Sequence, residues 1–324
     1  MSLLQVKDLV VEFPGRHGTL RALDKISFDI APGEILGVVG ESGAGKSLTG
    51  ASIIGLLEPP GRVAGGQILL EGQRIDNLHA DQMRHIRGRK IGAIFQDPLT
   101  SLNPLYTIGQ QLTETILAHL PVSPVEARQR AIALLKDTGI SAAEERIDHY
   151  PHQFSGGMRQ RIMIAMALLS QPDVLIADEP TTALDVTVQA QIVALLRQLQ
   201  QDHGTSIIMV THDLGLVAGL SDQVMVMYGG RVMEHGRADD IFYNTRHPYT
   251  RALLESVPRL EHGDGELVAI PGMPPSLRNM PSGCPFAPRC ASANRDCQQA
   301  APLRSMSKSS PEHLCACHHT EVCA

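Results

Sequence analysis

Hydrophobic positions recur along the chain in the two periods that distinguish strands from helices. Residues 4–30 alternate short β-rich runs with polar turns, which predicts an antiparallel hairpin layer. The continuous apolar run at 35–39 is typical of a parallel strand buried on both faces. Similar runs at 174–177, 207–210 and 224–227 are separated by segments of helical spacing. This alternation predicts an α/β fold built on a parallel sheet.

Helix boundaries are marked by capping residues. Ser123, followed by Pro124 and Glu126, forms a capping box, and the helix that it opens should end at Gly139. Ser155 should begin another helix, and residues 97–165 are predicted to form a mostly helical insert. Apolar residues at helical spacing predict two further helices: Ile53, Ile54, Leu56 and Leu57 after a start at Lys46, and Ile192, Leu195, Leu196 and Leu199 later in the chain.

A phosphate-binding loop follows the run at 35–39. Its glycines let backbone N–H groups curl around phosphates, and the N-terminus of the next helix adds positive potential. Lys46 should reach the β- and γ-phosphates, and the Ser47 hydroxyl should bind Mg²⁺. The predicted loop comprises Gly40, Glu41, Ser42, Gly43, Ala44, Gly45, Lys46 and Ser47.

Four further polar residues follow predicted strands. Asp178 should hold Mg²⁺, and Glu179 is placed where a base could polarise an attacking water. In isolation the pair would be interpreted as a strand-ending acidic turn, and the phosphate loop upstream favours the catalytic interpretation. Gln96 alone would be interpreted as a surface amide and His212 alone as a strand-end histidine. Only the whole set of motifs favours a functional role for these two residues.

In their order along the chain, these motifs and Ser155-Gly156-Gly157 resemble those of the nucleotide-binding subunit of an ABC transporter, over roughly residues 1–255. The resemblance implies a cassette with a RecA-like parallel sheet, an antiparallel β layer and the helical insert at 97–165. It also implies ATP and Mg²⁺ as cofactors. Two cassettes of this kind would close head to tail, so that each completes the ATP site of the other.

The resemblance implies a role for each matching residue. Gln96 would be the Q-loop residue that senses the γ-phosphate and the permease, and a Mg²⁺ ligand beside Ser47 and Asp178. Asp185 would be the D-loop carboxylate and His212 the switch histidine. Ser155, Gly156 and Gly157 would cap nucleotide held by another subunit, although Met158 replaces the usual glutamine. Phe13 would stack on adenine, with a core position at a strand end as the alternative.

The C-terminal segment 256–324 differs in composition. It holds nine of the 21 prolines and all six cysteines, without sustained periodicity, which predicts a small irregular Cys-rich domain. Clustered cysteines in a cytosolic chain indicate a metal site more readily than disulfides. Cys284, Cys290, Cys297 and Cys317 are spaced widely and irregularly, which suits an iron–sulfur cluster better than zinc. Zinc and merely structural thiols remain alternatives.

Three segments narrow the resemblance to the ATP-binding subunits of bacterial dipeptide and oligopeptide importers, across essentially the whole chain: 95–104, 247–254 and 283–290. Importers of nickel, glutathione and other solutes share much of this pattern. The resemblance implies a [4Fe–4S] cluster on the four cysteines named above, with Cys317 preferred to Cys315 and Cys323 spare. It also implies a second homologous ATPase as a heterodimer partner, two permeases, and indirectly a solute-binding protein, with this chain peripheral at the cytoplasmic face of the inner membrane.

Charge and hydropathy exclude other classes. The net charge of −6 and the pI of about 6.1 argue against a nucleic-acid partner, because such proteins need a basic face. No apolar stretch approaches the ~20 residues that span a bilayer, and the N-terminus does not resemble a signal peptide. The rival class is a soluble ABC ATPase of DNA repair or translation. It would be expected to carry a second cassette, a coiled-coil insert or a basic stretch.

Overall fold

Strands and helices alternate along the chain as the hydrophobic pattern predicts. The computed structural model describes residues 2–16, 18–96, 101–182, 184–257, 269–299, 304–305 and 311–319. Residues 97–100 of the Q-loop segment, Ala183 beside the D-loop carboxylate, and Cys323 lie outside these ranges. The strands are β1 (Leu4–Gly15), β2 (Gly18–Ile30), β3 (Ile35–Val39), β4 (Arg62–Leu70), β5 (Gln73–Arg74), β6 (Ile91–Ile94), β7 (Val174–Asp178), β8 (Ser206–Val210), β9 (Gln223–Tyr228), β10 (Arg231–Arg237), β11 (Arg304–Ser305) and β12 (Leu314–Cys315).

The structure divides into two compact units, one comprising residues 31–34 and 77–210 and the other comprising 2–30, 35–76 and 211–324. The α-helices of the first unit span Ala80–Ile86, Ile108–His119, Pro124–Asp137, Ala143–Arg146, Gly156–Leu168 and Val186–His203. Those of the second unit span Lys46–Ile53, Leu214–Leu220, Ala238–Tyr243 and Pro248–Glu255.

In the first unit, β6, β7 and β8 pair in parallel, with Ile94 opposite Ala177 and Asp178 opposite Val210. All five residues of β8 are buried, as are the first four of β7, which is the pattern of strands covered on both faces. Parallel strands end at the same edge of a sheet, so the residues that follow β6 and β7 lie close together. This edge carries Gln96, Asp178 and Glu179.

The second unit contains two sheets. One is antiparallel, in the order β2-β1-β4-β5. In the other, β3 pairs in parallel with β9, and the sheet continues antiparallel through β10, β12 and β11. A buried cluster fills the space beside this second sheet, and its members are Val39, Leu214, Val217, Val224, Val226, Tyr228, Met233, Ile241, Tyr249 and Phe286. Phe286 therefore brings the C-terminal region into the same core as the strand that precedes the phosphate loop.

The described residues of the C-terminal region are anchored by buried polar contacts. Its described elements are short 3₁₀ helices (Leu277–Asn279, Ala287–Arg289 and Arg295–Gln298) and the two-residue strands β11 and β12. The fully buried Glu234 of β10 lies 2.8 Å from His313 Nε2 and accepts the backbone N–H groups of Arg246 and His247 at 2.6 and 3.0 Å. Burial raises the pKa of the Glu234 carboxyl, but these hydrogen bonds outweigh burial and bring the pKa below its ordinary value.

Local capping signals predicted helix starts better than helix ends. The helices beginning after Ser123 and Ser155 are confirmed, and Gly139 ends the first of them with a φ of 80°. The capping box at Ser123 is only half formed, because the Glu126 carboxylate contacts Arg130 instead of the backbone. The helix from Lys46 ends at Ile53, so the prediction that its apolar side continues through Leu57 is wrong.

Candidate functional site

The predicted phosphate loop curves from the end of β3 into the helix Lys46–Ile53. Gly40 has a φ of 150°, and a Cβ there would lie 2.2 Å from the Met227 carbonyl oxygen. Gly45 has a φ of 101° and precedes the helix as its N-cap. Both positions therefore require glycine. The Lys46 side chain is buried, and its Nζ donates to the carbonyls of Gly40 and Glu41 at 2.7 and 3.2 Å.

This loop has the features that a polyphosphate needs. An ammonium group lies inside a curve of backbone, and the exposed Ser47 hydroxyl is beside it in the first turn of a helix. Helix N-termini and curled backbone N–H groups stabilise anions. The residues Gly40 to Ser47 thus fit a nucleotide phosphate chain with its metal ion.

Glu179 follows β7 in a strained conformation. Its φ is 47°, which is uncommon for a residue other than glycine, and its N–H donates to the Val210 carbonyl at 2.8 Å. Such strain costs about 1–3 kcal/mol and tends to occur at functional sites. Glu179 Oε2 accepts the Thr182 hydroxyl at 2.7 Å and Gln96 Nε2 at 3.2 Å. The structure therefore joins two of the predicted catalytic residues within the first unit.

Thr182 was not singled out by the sequence analysis. Its only sequence signal is a hydroxyl placed three residues after a candidate catalytic carboxylate, in the turn that follows β7. The hydrogen bond holds the Glu179 carboxylate, while the Glu179 backbone is held separately by its contact with β8. Thr182 is thus a positioning residue for this carboxylate.

The Ser155-Gly156-Gly157 segment lies at the N-terminus of a 13-residue helix, with Ser155 and Gly156 exposed. The Ser155 hydroxyl accepts the Met158 N–H at 3.4 Å, as an N-cap does. Met158, which departs from the family pattern, places its sulfur 3.5 Å from Arg146 Nη1. This helix terminus is accessible to an anionic ligand outside the chain.

The described contacts of the remaining predicted residues do not decide their roles. Asp185 is exposed and caps the helix Val186–His203 by accepting the Val188 N–H at 3.0 Å. His212 is exposed and lies two residues after the end of β8. Phe13 is half-buried, and a Cβ on Gly61 would lie 2.7 Å from its ring. Their roles at a nucleotide stay predictions.

Two residues of the second unit contact the phosphate loop but were not assigned a role from sequence. Tyr249 Oη accepts the N–H of Glu41, and the Arg289 guanidinium contacts the Glu41 carboxylate. Both lie in segments that the sequence analysis used only as family markers, 247–254 and 283–290. Nothing local in the sequence connects them to residue 41.

The four predicted cluster cysteines converge on one pocket of the second unit. Cys284, Cys290, Cys297 and Cys317 all line it, together with His318 and His319, whereas Cys315 does not. Burial raises the pKa of the Cys284, Cys290 and Cys317 thiols, and the neighbouring cysteines raise it further. Among the described residues, no group of three or more His, Cys, Asp or Glu side chains has the arrangement of a metal site.

Comparison with known proteins decides the family. Residues 23–182 match the family described as ABC transporter, and residues 233–297 match the C-terminal region of oligopeptide/dipeptide transporters. The oligopeptide transport ATP-binding protein OppD of Salmonella typhimurium is 50% identical over 315 residues, covering 97% of this chain and 93% of that protein. The dipeptide transport ATP-binding protein DppD of Bacillus subtilis is 50% identical over 301 residues, covering 93% and 90%. The chain belongs to the ABC transporter family.

Solved ABC cassettes share the fold. A dimeric ATP-binding cassette in a post-hydrolysis state, bound to ADP and phosphate, has a TM-score of 0.66 and 28% identity, covering 72% of this chain and 98% of that one. The cassette cbiO1 from Clostridium perfringens has a TM-score of 0.64 and 32% identity, covering 74% and 90%. The predicted cassette fold is thereby confirmed.

As an ABC family member, the chain is an ATPase that uses ATP with Mg²⁺, and the loop from Gly40 to Ser47 is the part of the described structure that fits the phosphates. The described part of the chain contains no helix with both the length and the apolar character needed to cross a bilayer.

Proposed function

We propose that this chain is the ATP-hydrolysing subunit of a bacterial importer of dipeptides or oligopeptides. The observation that carries the proposal is the match of residues 233–297 to the C-terminal region of oligopeptide/dipeptide transporters, in the same chain as the cassette. Relatives named for oligopeptide and dipeptide transport cover nearly the whole chain, which supports the assignment.

Each predicted residue has a defined task in hydrolysis. Lys46 would bind the β- and γ-phosphates, while Ser47, Asp178 and Gln96 would hold Mg²⁺, which supplies charge neutralisation on the phosphates. Glu179 polarises the attacking water, and its hydrogen bonds from Thr182 and Gln96 fix the carboxylate in one orientation. His212 contacts the γ-phosphate, and Phe13 stacks on the base.

The exposed N-terminus of the helix Gly156–Leu168 supports a head-to-tail dimer. Ser155 and the two glycines after it would cap the nucleotide of a second, homologous ATPase, and Asp185 would lie at the same interface. ATP can drive closure only because it binds the closed dimer more tightly than the open one. Two permeases would dock beside the Q-loop and the helical insert, which places the chain at the cytoplasmic face of the inner membrane without spanning it.

Reconstitution tests the transport assignment. The chain is combined in lipid vesicles with its permeases and partner ATPase, and phosphate release is measured with a solute-binding protein that carries a peptide. We expect hydrolysis to rise and labelled peptide to accumulate only when ATP is present. The control omits the peptide. Uptake of nickel or glutathione in place of peptide would contradict the assignment. A rate of hydrolysis that is the same with and without the permeases would contradict it as well.

We further propose that Cys284, Cys290, Cys297 and Cys317 bind a [4Fe–4S] cluster. The supporting observation is their convergence on one pocket from three separate stretches of the C-terminal region, which gives the all-thiolate donor set that such clusters use. The position of Cys317 at the pocket, with Cys315 outside it, favours Cys317 as the fourth ligand. A bound cluster would cross-link these stretches and so contribute to folding.

The cluster proposal predicts a coloured protein. The chain purified without oxygen should be brown, with about four iron ions and about four sulfide ions per chain. Cys290→Ser should remove the colour. Cys315→Ala is the matched control, because Cys315 does not line the pocket, and it should keep the colour. Metal analysis checks both variants. A colourless protein with stoichiometric zinc would overturn the assignment.

A further inference from the structure

The phosphate loop is held by a side chain of the C-terminal region. Arg289 donates to both carboxylate oxygens of Glu41, the second residue of the loop, from Nη1 to Oε2 at 2.6 Å and from Nη2 to Oε1 at 3.1 Å. The two residues are 248 positions apart in sequence and lie in the same compact unit. This two-point geometry fixes the orientation of both groups as well as their distance.

Further hydrogen bonds hold the Arg289 side chain in place. Its Nε donates to the Pro271 carbonyl at 2.8 Å, its Nη2 also to the Ile270 carbonyl at 3.2 Å, and its Nη1 also to Tyr228 Oη at 3.1 Å. A guanidinium has five N–H donors, so every donor is engaged. The side chain is only 5% exposed, which distinguishes the pair from the weak ion pairs of protein surfaces.

Glu41 passes this restraint to the residues that meet phosphate. Its N–H donates to Tyr249 Oη at 2.9 Å, and its carbonyl accepts Lys46 Nζ at 3.2 Å and the Ala44 N–H at 3.1 Å. Any displacement of Glu41 therefore displaces a carbonyl that contacts the phosphate-binding lysine. The pair also neutralises a carboxylate that would otherwise repel the phosphates of a nucleotide bound in the same loop.

We propose that Arg289 is a positioning residue for nucleotide binding, which acts by fixing and neutralising Glu41 and thereby makes the affinity of the phosphate loop depend on the folded C-terminal region. The coupling is reciprocal, because a region that favours nucleotide binding is itself stabilised when nucleotide binds. The proposal concerns nucleotide binding alone. The proposed coupling does not depend on which solute is transported.

The test measures MgADP binding to the full-length chain by titration calorimetry. Arg289→Gln should weaken binding about tenfold, the size of a typical coupling between sites. Arg278→Gln, at an exposed arginine of the same region, is the matched control and should bind as the wild type does. The double variant Arg289→Gln with Glu41→Gln should recover part of the lost affinity, because it removes the uncompensated carboxylate although residue 41 is no longer anchored.

The double variant separates an effect that acts through the Glu41 carboxylate from general support of the fold. If Arg289 only helped the C-terminal region to fold, a change at Glu41 would not restore binding, and that result would overturn the proposal. Wild-type affinity in Arg289→Gln would overturn it as well. Circular dichroism checks that each variant is folded.

A measurement on the wild-type chain covers the case in which Arg289→Gln does not fold. Saturating MgADP should slow amide hydrogen exchange in residues 284–299, by the reciprocity of the coupling. Unchanged exchange in this segment, with the phosphate loop itself protected, would contradict the proposal.

Discussion

Replacing Glu179 by glutamine is expected to lower the rate of ATP hydrolysis by about 100-fold or more, the usual contribution of a catalytic base, while ATP binding is retained. A glutamine side chain is the same size, and its amide oxygen can still accept hydrogen bonds from Thr182 and Gln96. It cannot take a proton from the attacking water. Phosphate release measures the rate, and filter binding of labelled ATP measures affinity.

The same variant should accumulate a closed dimer with the partner ATPase. ATP would bind and close the cassettes, but the hydrolysis that reopens them would be blocked, so light scattering should find a larger species only with MgATP. Glu144→Gln is the matched control, since Glu144 is an exposed carboxylate of the helical insert, and it should leave turnover unchanged. Full turnover in Glu179→Gln would remove Glu179 from the mechanism.

The sequence predicted those parts of the cassette whose signals are local. The phosphate loop could be recognised because Gly40 and Gly45, which adopt positive φ, precede Lys46 at a fixed spacing. The helix after Ser155 could be placed because an N-cap serine precedes an apolar pattern. Strands such as β3 and β8 are buried along their whole length, and the apolar runs in the sequence predict this. In each case the residues that decide the structure are neighbours in the chain.

Features that depend on distant residues were not predicted. The ion pair of Arg289 with Glu41 and the buried contact of His313 with Glu234 each join residues far apart in sequence. The irregular C-terminal region gave no periodicity from which such contacts could be inferred. The helix after Lys46 was predicted too long for a local reason. Gly55 adopts a φ of 62° just past the C-cap and ends the helix, and Leu56, which was counted as part of the apolar side, is 43% exposed.

Replacing Lys46 by glutamine is expected to weaken nucleotide binding by roughly 30-fold or more, the cost of removing one partner of a buried charged contact. Glutamine still offers an N–H donor to the Gly40 and Glu41 carbonyls, which Lys46 contacts at 2.7 and 3.2 Å, so the curve of the loop should survive. The positive charge is lost and the side chain is shortened by one bond, and the phosphates are the groups that need the charge.

Binding of labelled ATP to the full-length chain measures this effect, and Lys7→Gln, at an exposed lysine of β1, is the control that should bind normally. The two active-site variants then differ in a way that locates each residue in the cycle. Both lose turnover, but Lys46→Gln should lose it by failing to bind, without forming the closed dimer that Glu179→Gln accumulates. If Lys46→Gln bound ATP at wild-type affinity, the loop would hold phosphate through its backbone N–H groups alone, and the role assigned to Lys46 would be wrong.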